Sequence, residues 1–181
     1  IKDQFDENTL IQEELCKSNG IDIGYFSVEP VSTPFDIRLI DSEKYRLMND
    51  LFIKTGDLGP WMMRNTTSIQ INIDFTDEED ASQMAFVADA IQPLMSIMFS
   101  NSPFMNAKPT RENLRWKIWG NTDNSRCGSL YDHFINTPKN CVKKYAEWLL
   151  QRGVIFLDNM DGTFSCLLYT SDAADEWWRG G

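Results

Sequence analysis

Along residues 62–75, MMRNTTSIQINIDF, polar and apolar side chains alternate with a period of two. Thr66, Ser68, Gln70, Asn72 and Asp74 fall on one side and Thr67, Ile69, Ile71, Ile73 and Phe75 on the other, which predicts a β-strand with one core face over residues 66–74. The polar side is built of hydroxyls and amides, not of the Lys and Glu of a merely solvated surface. Two readings fit it: a half-exposed strand rich in small polar residues, or a site where oxygen ligands point at something.

The rest of the chain alternates irregularly between helical and extended patterns. Residues 9–17 have helical spacing with Leu10, Ile11 and Leu15 inward, and Asn19 and Gly20 supply the stop. Residues 21–28 read as a strand, followed by a loop that Pro30 and Pro34 keep out of any central strand. Ser42 caps a predicted helix reaching about residue 55, with Tyr45, Met48 and Phe52 on its buried stripe; Gly56 ends it and residues 57–60 turn. After Phe75, residues 76–79 have the form of a capping box from Thr76 to Glu79. Met84, Val87, Ile91, Leu94 and Met98 continue at helical spacing, the methionines as core filler. Pro93 removes one backbone bond from that helix and predicts a kink or break near residues 89–92. Residues 99–139 show little periodicity but many polar side chains, two Trp and three Arg, the composition of a functional loop region. A last helix is predicted over 140–152, with Gly153 as its stop, a strand over 154–157 and a turn at Asp161 and Gly162. With no Gly-rich phosphate loop between strand and helix, the pattern is that of an α+β domain with a mainly antiparallel sheet.

A hydrophobic content of 42% makes the chain globular, and 181 residues suit one domain with a real core or a piece of something larger. The formal charge of −10 argues against a nucleic-acid backbone or an anionic membrane as partner. No run approaches the roughly 18 apolar residues of a membrane span. The first residues, Ile1, Lys2, Asp3 and Gln4, do not form a signal peptide, and without an initiator Met the chain is expected to begin inside a longer protein. Residues 166–175, CLLYTSDAAD, resemble one reading frame of a common transposase sequencing adapter, so 166–181 are expected to be a non-native tail outside any fold reasoning. Cys16, Cys127 and Cys141 are widely spaced and lack a metal or redox pattern, consistent with reduced thiols in a cytoplasmic protein. Without a secretory signal, the glycosylation sequon at Asn65 reads as coincidence.

The single histidine, His133, cannot build a His-rich zinc site, and its neighbour Phe134 favours a structural role. No nucleophile-elbow or Walker pattern occurs. What remains is the set of oxygen ligands at 66–74 and a cation cluster of Lys108, Arg111, Arg115, Lys117 and Arg126. Magnesium takes hard oxygen ligands and shares them with substrate phosphates, so the amide oxygens of Gln70 and Asn72, two apart on one face, could complete such a site. Guanidinium groups clamp carboxylates or phosphates bidentately. Together these suit phosphoryl transfer onto a carboxylate; taken singly, each arginine also fits a surface ion pair.

The segments EKYRLM at 43–48, MMRNTTSIQINIDF, QPLMSIMFSNSPF at 92–104, and LRWKIW with NTDNSRCG within 114–128 resemble the plant-type glutamate–cysteine ligase family, and the likeness runs in order over about residues 11–157. The resemblance implies part of a glutamine synthetase-like fold, a mainly antiparallel curved sheet with helices on one face, whose concave side holds ATP, Mg2+ and glutamate. It implies that 1–165 are the central fragment of a single ligase catalytic domain. The implied reaction phosphorylates the γ-carboxylate of L-glutamate with ATP, and the amine of L-cysteine then displaces phosphate, the first step of glutathione biosynthesis. Positioning and charge neutralisation suffice for such chemistry, in keeping with the missing triad.

Carried over by position, the resemblance implies Gln70 and Asn72 as magnesium ligands and Thr66 as a substrate-side threonine. Arg115 would hold a carboxylate of glutamate, with Trp119 and Tyr45 lining the pocket. Asp123 and Arg126 lie on the family's D-x-x-R-x-G element, which is assigned to the nucleotide phosphate side; Arg115 and Arg126 are thus the expected catalytic cations. Lys44 stands where the family has Arg, keeping the charge but losing the fork. The family's carboxylate magnesium ligands are expected upstream of this chain, so the fragment itself is expected to be inactive. Expected partners are small molecules, with no nucleic acid and no membrane. Two other readings stay open: a related carboxylate–amine ligase with another amine acceptor, and a catalytically silent binding module of the same fold.

Overall fold

The computed structural model describes residues 2–152, 155, 157–159 and 164–165. Gly153, the Asp161–Gly162 turn and the 166–181 tail lie outside the described residues, as do two residues of the strand expected at 154–157. Helices carry most of the regular structure: α1 (Lys2–Ser18), α2 (Glu43–Thr55), α3 (Gly59–Asn65), α4 (Glu78–Met98), α5 (Leu114–Gly120) and α6 (Cys141–Leu150). Strands are short. β1 (Phe104–Met105) pairs antiparallel with β2 (Lys108–Pro109), and β3 (Leu157–Asp158) with β4 (Phe164–Ser165). This is a mixed helix-and-strand chain compatible with the α+β expectation, but no curved sheet forms among the described residues.

The largest departure is at 62–75. Its first four residues close α3, and Thr66 makes a single antiparallel bridge to Val28. Beyond Thr67 the backbone stays irregular with no ladder partner among the described residues, and Ile69 and Ile71 are 90% and 81% exposed. The alternation predicts a strand, but a strand needs a neighbour to take its backbone groups and apolar face. Residues 21–28 fail as a strand for the same reason, pairing only at their end.

Helix α1 begins earlier than its periodic stretch, and Leu10, Ile11 and Leu15, expected inward, are exposed. Its predicted stop holds. Gly20 takes a positive φ of 65°, and the Gly20 and Ile21 N–H groups donate back to the Lys17 and Cys16 carbonyls in a Schellman closure. In α4 the cap is one residue later than expected: Asp77 accepts from the Asp80 N–H at 2.9 Å, and Asp80 in turn accepts from the Thr76 N–H. The helix runs through Pro93 without a break. Its expected buried stripe is open: Met84, Val87, Ile91, Leu94 and Met98 are all exposed, with nothing among the described residues burying them.

Among the described residues, two small cores organise what packs. One gathers Val28, Leu114 and Ile118 with Leu58, Trp61, Met62 and Met105, joining α3 to α5. The other gathers Ile135, Cys141 and Trp148 with Ala85, Phe86 and Leu130, joining α4 to α6. His133 lies there with its ring 4.1 Å from the Trp148 ring, centroid to centroid.

Candidate active site

Helix α5 was not marked by periodicity, yet it carries the best-defined cationic group. Asn113 caps it, its side-chain oxygen accepting from the Trp116 N–H, and Leu114 and Ile118 bury one stripe. Arg115 and Trp119, four apart, therefore share another face. The Arg115 guanidinium lies over the Trp119 ring, 5.4 Å from its centroid, and its Nε donates to the Thr67 carbonyl at 3.1 Å. Burial lowers the Arg115 pKa from its ordinary value, and the group still keeps its charge.

Thr67 is held in turn by the segment before α2. Its N–H donates to Ser27 O at 3.0 Å and its hydroxyl to Phe26 O at 2.8 Å. On the other side of that segment, Asn101 and Ser102 act in place of a strand. Asn101 Oδ1 accepts from the Ser27 N–H and its Nδ2 donates to Tyr25 O, while Ser102 Oγ accepts from the Ser27 and Val28 N–H groups, both at 2.9 Å. The alternation at 66–74 places Thr67 on the core face of a strand and gives it no part in a site; the clamping Asn101 and Ser102 lie in the segment at 92–104 that carries part of the family resemblance.

The other expected site residues are placed as follows. Lys44 and Tyr45 sit in the first turn of α2, the lysine exposed and the tyrosine half-buried. The Thr66 hydroxyl donates to Met62 O at 2.8 Å, which commits its proton and leaves the oxygen able to accept. Gln70 and Asn72 are exposed on the unpaired stretch. Their amide oxygens are hard donors of the kind magnesium takes, so they fit the metal in type. Among the described residues no group of three or more His, Cys, Asp or Glu stands ready to complete a shell.

Asp123 and Arg126 are brought together. Asp123 is 2% exposed; its Oδ1 accepts from the Ser125 N–H at 2.9 Å and the Ser125 hydroxyl at 2.6 Å, and its Oδ2 pairs with Arg126 Nη1. Burial pushes the Asp123 pKa up, but the Ser125 hydrogen bonds and the Arg126 charge outweigh it and hold the carboxyl below its usual range. The cation expected at the phosphate side thus also locks the turn that follows α5. Burial raises the Cys127 thiol beside it above its ordinary value, which keeps it a poor nucleophile.

The model of the glutamate-cysteine ligase family 2 matches residues 13–179. Among curated proteins, the chain is similar to glutamate–cysteine ligase A, chloroplastic, of Oryza sativa subsp. indica, 31% identical over 86% of this chain and 35% of the relative. It is similar to glutamate–cysteine ligase, chloroplastic, of Nicotiana tabacum, 30% identical over 78% of the chain and 30% of the relative. The Medicago truncatula protein of that name is 28% identical over 94% of the chain and 37% of the relative. The chain spans about a third of the length of the curated relatives it matches. Their names overturn the cytoplasmic expectation: they point to the plastid, a location that unpatterned cysteines and an unremarkable first few residues do not report. No helix among the described residues is long and apolar enough to cross a membrane.

Proposed function

This chain belongs to the glutamate-cysteine ligase family 2, and we propose that the longer protein containing it is an ATP-dependent ligase that joins the γ-carboxylate of L-glutamate to the amine of L-cysteine. ATP transfers its terminal phosphoryl group to the γ-carboxylate, releasing ADP. The cysteine amine then attacks the acyl carbon of the γ-glutamyl phosphate, an amide bond forms, the C–O bond to phosphate breaks, and the amine loses a proton.

The observation that carries this reading is Arg115, anchored through Nε on Thr67 O and laid on Trp119. Its two terminal amino groups make no hydrogen bond to a described residue, which leaves a fork suited to a carboxylate. Tyr45 and Trp119 line the pocket in this reading, Lys44 adds charge, and Thr66 accepts a hydrogen bond from the substrate. Gln70 and Asn72 would hold Mg2+, which when bound neutralises charge on the transferring phosphoryl group. Arg126, oriented by Asp123, is assigned to the nucleotide phosphates. Residues 1–165 are read as the central part of one catalytic domain and 166–181 as a non-native tail, against which stands a family match that runs on to residue 179; resequencing from an unfragmented template that returned the same codons would overturn the tail reading.

The roles assigned to described residues concern glutamate, metal and nucleotide, and none selects the amine. A ligase with another amine acceptor is therefore the second reading. Phosphate release by the full-length protein with Mg-ATP and glutamate decides between them. Release that depends on cysteine supports the first reading, and release only with another amine supports the second.

A further inference from the structure

We propose that Thr67 is a positioning residue for Arg115: its hydroxyl, bonded to Phe26 O, fixes the peptide carbonyl that aims the guanidinium at a substrate carboxylate. This rests on the reading of Arg115 as the carboxylate clamp. Thr67 is the last residue of its segment with backbone partners, since everything from residue 68 to residue 75 lacks a ladder neighbour among the described residues. Its carbonyl would swing with that unpaired stretch unless something held the peptide on the other side.

Two bonds do so. The Thr67 N–H donates to Ser27 O at 3.0 Å and Oγ1 donates to Phe26 O at 2.8 Å, both onto a segment that Asn101 and Ser102 clamp from its far edge. The chain of contacts runs from Asn101 and Ser102 through residues 25–28 to Thr67 and then to Arg115 Nε at 3.1 Å. A guanidinium anchored at Nε keeps its plane fixed and presents its outer edge. A loosened anchor leaves the charge in place but spreads its direction, which weakens a bidentate contact more than a point-charge attraction. Thr67 is exposed, so removing its hydroxyl empties no core.

The test uses the full-length protein. Thr67→Val keeps the shape and loses the donor; Thr67→Ser keeps the donor. The expected result is a rise of about fivefold in KM for glutamate in T67V, the loss of about one hydrogen bond's worth of orientation. Expected with it are kcat within about twofold, an unchanged KM for Mg-ATP, and a near wild-type KM in T67S. In an Arg115→Gln background, Thr67→Val adds nothing further. Thr67→Ala, smaller than Thr, serves in place of T67V should the latter fold poorly. A glutamate KM unmoved by removing the hydroxyl overturns the proposal, as does an equal rise in the R115Q background. An unchanged glutamate KM in R115Q itself overturns instead the reading of Arg115.

Discussion

A Cβ on Gly56 would lie 2.2 Å from the carbonyl oxygen of Asn121 and 2.7 Å from that of Thr122. Gly56 has extended backbone, φ −165° and ψ 165°, which any residue can adopt. What it supplies is the absence of a side chain where the exit of α2 meets the exit of α5. Thr55 Oγ1 donates to Thr122 O and the Leu58 N–H donates to Asn121 O across the same junction. The helix bearing Lys44 and Tyr45 is thereby tied to the helix bearing Arg115 and Trp119.

Gly56→Ala is expected to destabilise the protein by about 1–3 kcal/mol, because the new methyl meets backbone atoms that cannot rotate away. Urea unfolding measures it, and an unchanged midpoint would show that the junction has room.

Ser102→Ala removes the acceptor for two N–H groups, those of Ser27 and Val28. A loss of about 1–3 kcal/mol is expected from leaving a buried donor unpaired. Faster amide hydrogen exchange at Ser27 and Val28 than at α6 locates the effect.

Asp123 carries a pH signature. Its folded pKa is depressed, so the stability it contributes is present above its unfolded value, about 4, and is lost as pH falls through the lower folded value. Thermal unfolding followed from pH 6 to pH 2 is expected to show a loss in acid that Asp123→Asn shares less of, while being less stable at pH 6. Parallel acid profiles for the two proteins would remove the assigned role.

Gln70→Ala and Asn72→Ala touch exposed side chains, so stability should move by less than about 0.5 kcal/mol. If the pair holds magnesium, the magnesium concentration giving half-maximal ligase rate rises in the full-length protein. An unaltered magnesium dependence in the double variant would remove these two from the metal site.

The isolated chain of residues 1–181 is expected to show no ligase turnover with Mg-ATP, glutamate and cysteine. Its described residues offer magnesium two neutral amides and no group of three or more His, Cys, Asp or Glu placed to hold a metal. Detectable phosphate release above a no-protein control would contradict this.

Some of this was readable from local chemistry. Gly20 closing α1 depends on neighbours within one turn, where backbone preference decides; the expected bounds of α2 also hold, though Ser42 makes no side-chain cap bond, and α4 is capped by Asp77 in place of the expected Thr76. The motif residues at 43–48 and 114–128 led to the family for a similar reason: side-chain identities at fixed spacing are present in the chain whatever it folds against. Helix α5 has no periodic signature because seven residues give too few turns for a period to emerge.

The alternation at 66–74 shows where local pattern stops. Its amino acids alone determine that Gln70, Asn72 and Asp74 fall on one side of an extended backbone and the isoleucines on the other, because side chains in extended backbone alternate. Whether that backbone becomes a strand depends on partners, and among the described residues the pairing ends at Thr67. Only the tertiary structure decided that the Thr67 carbonyl would anchor Arg115, 48 positions away, and that Asn101 and Ser102 would bind residues 25–28 in place of a strand. Hydrogen bonds between distant segments leave no period in the sequence, since they depend on how the α3–α5 core brings the backbones together.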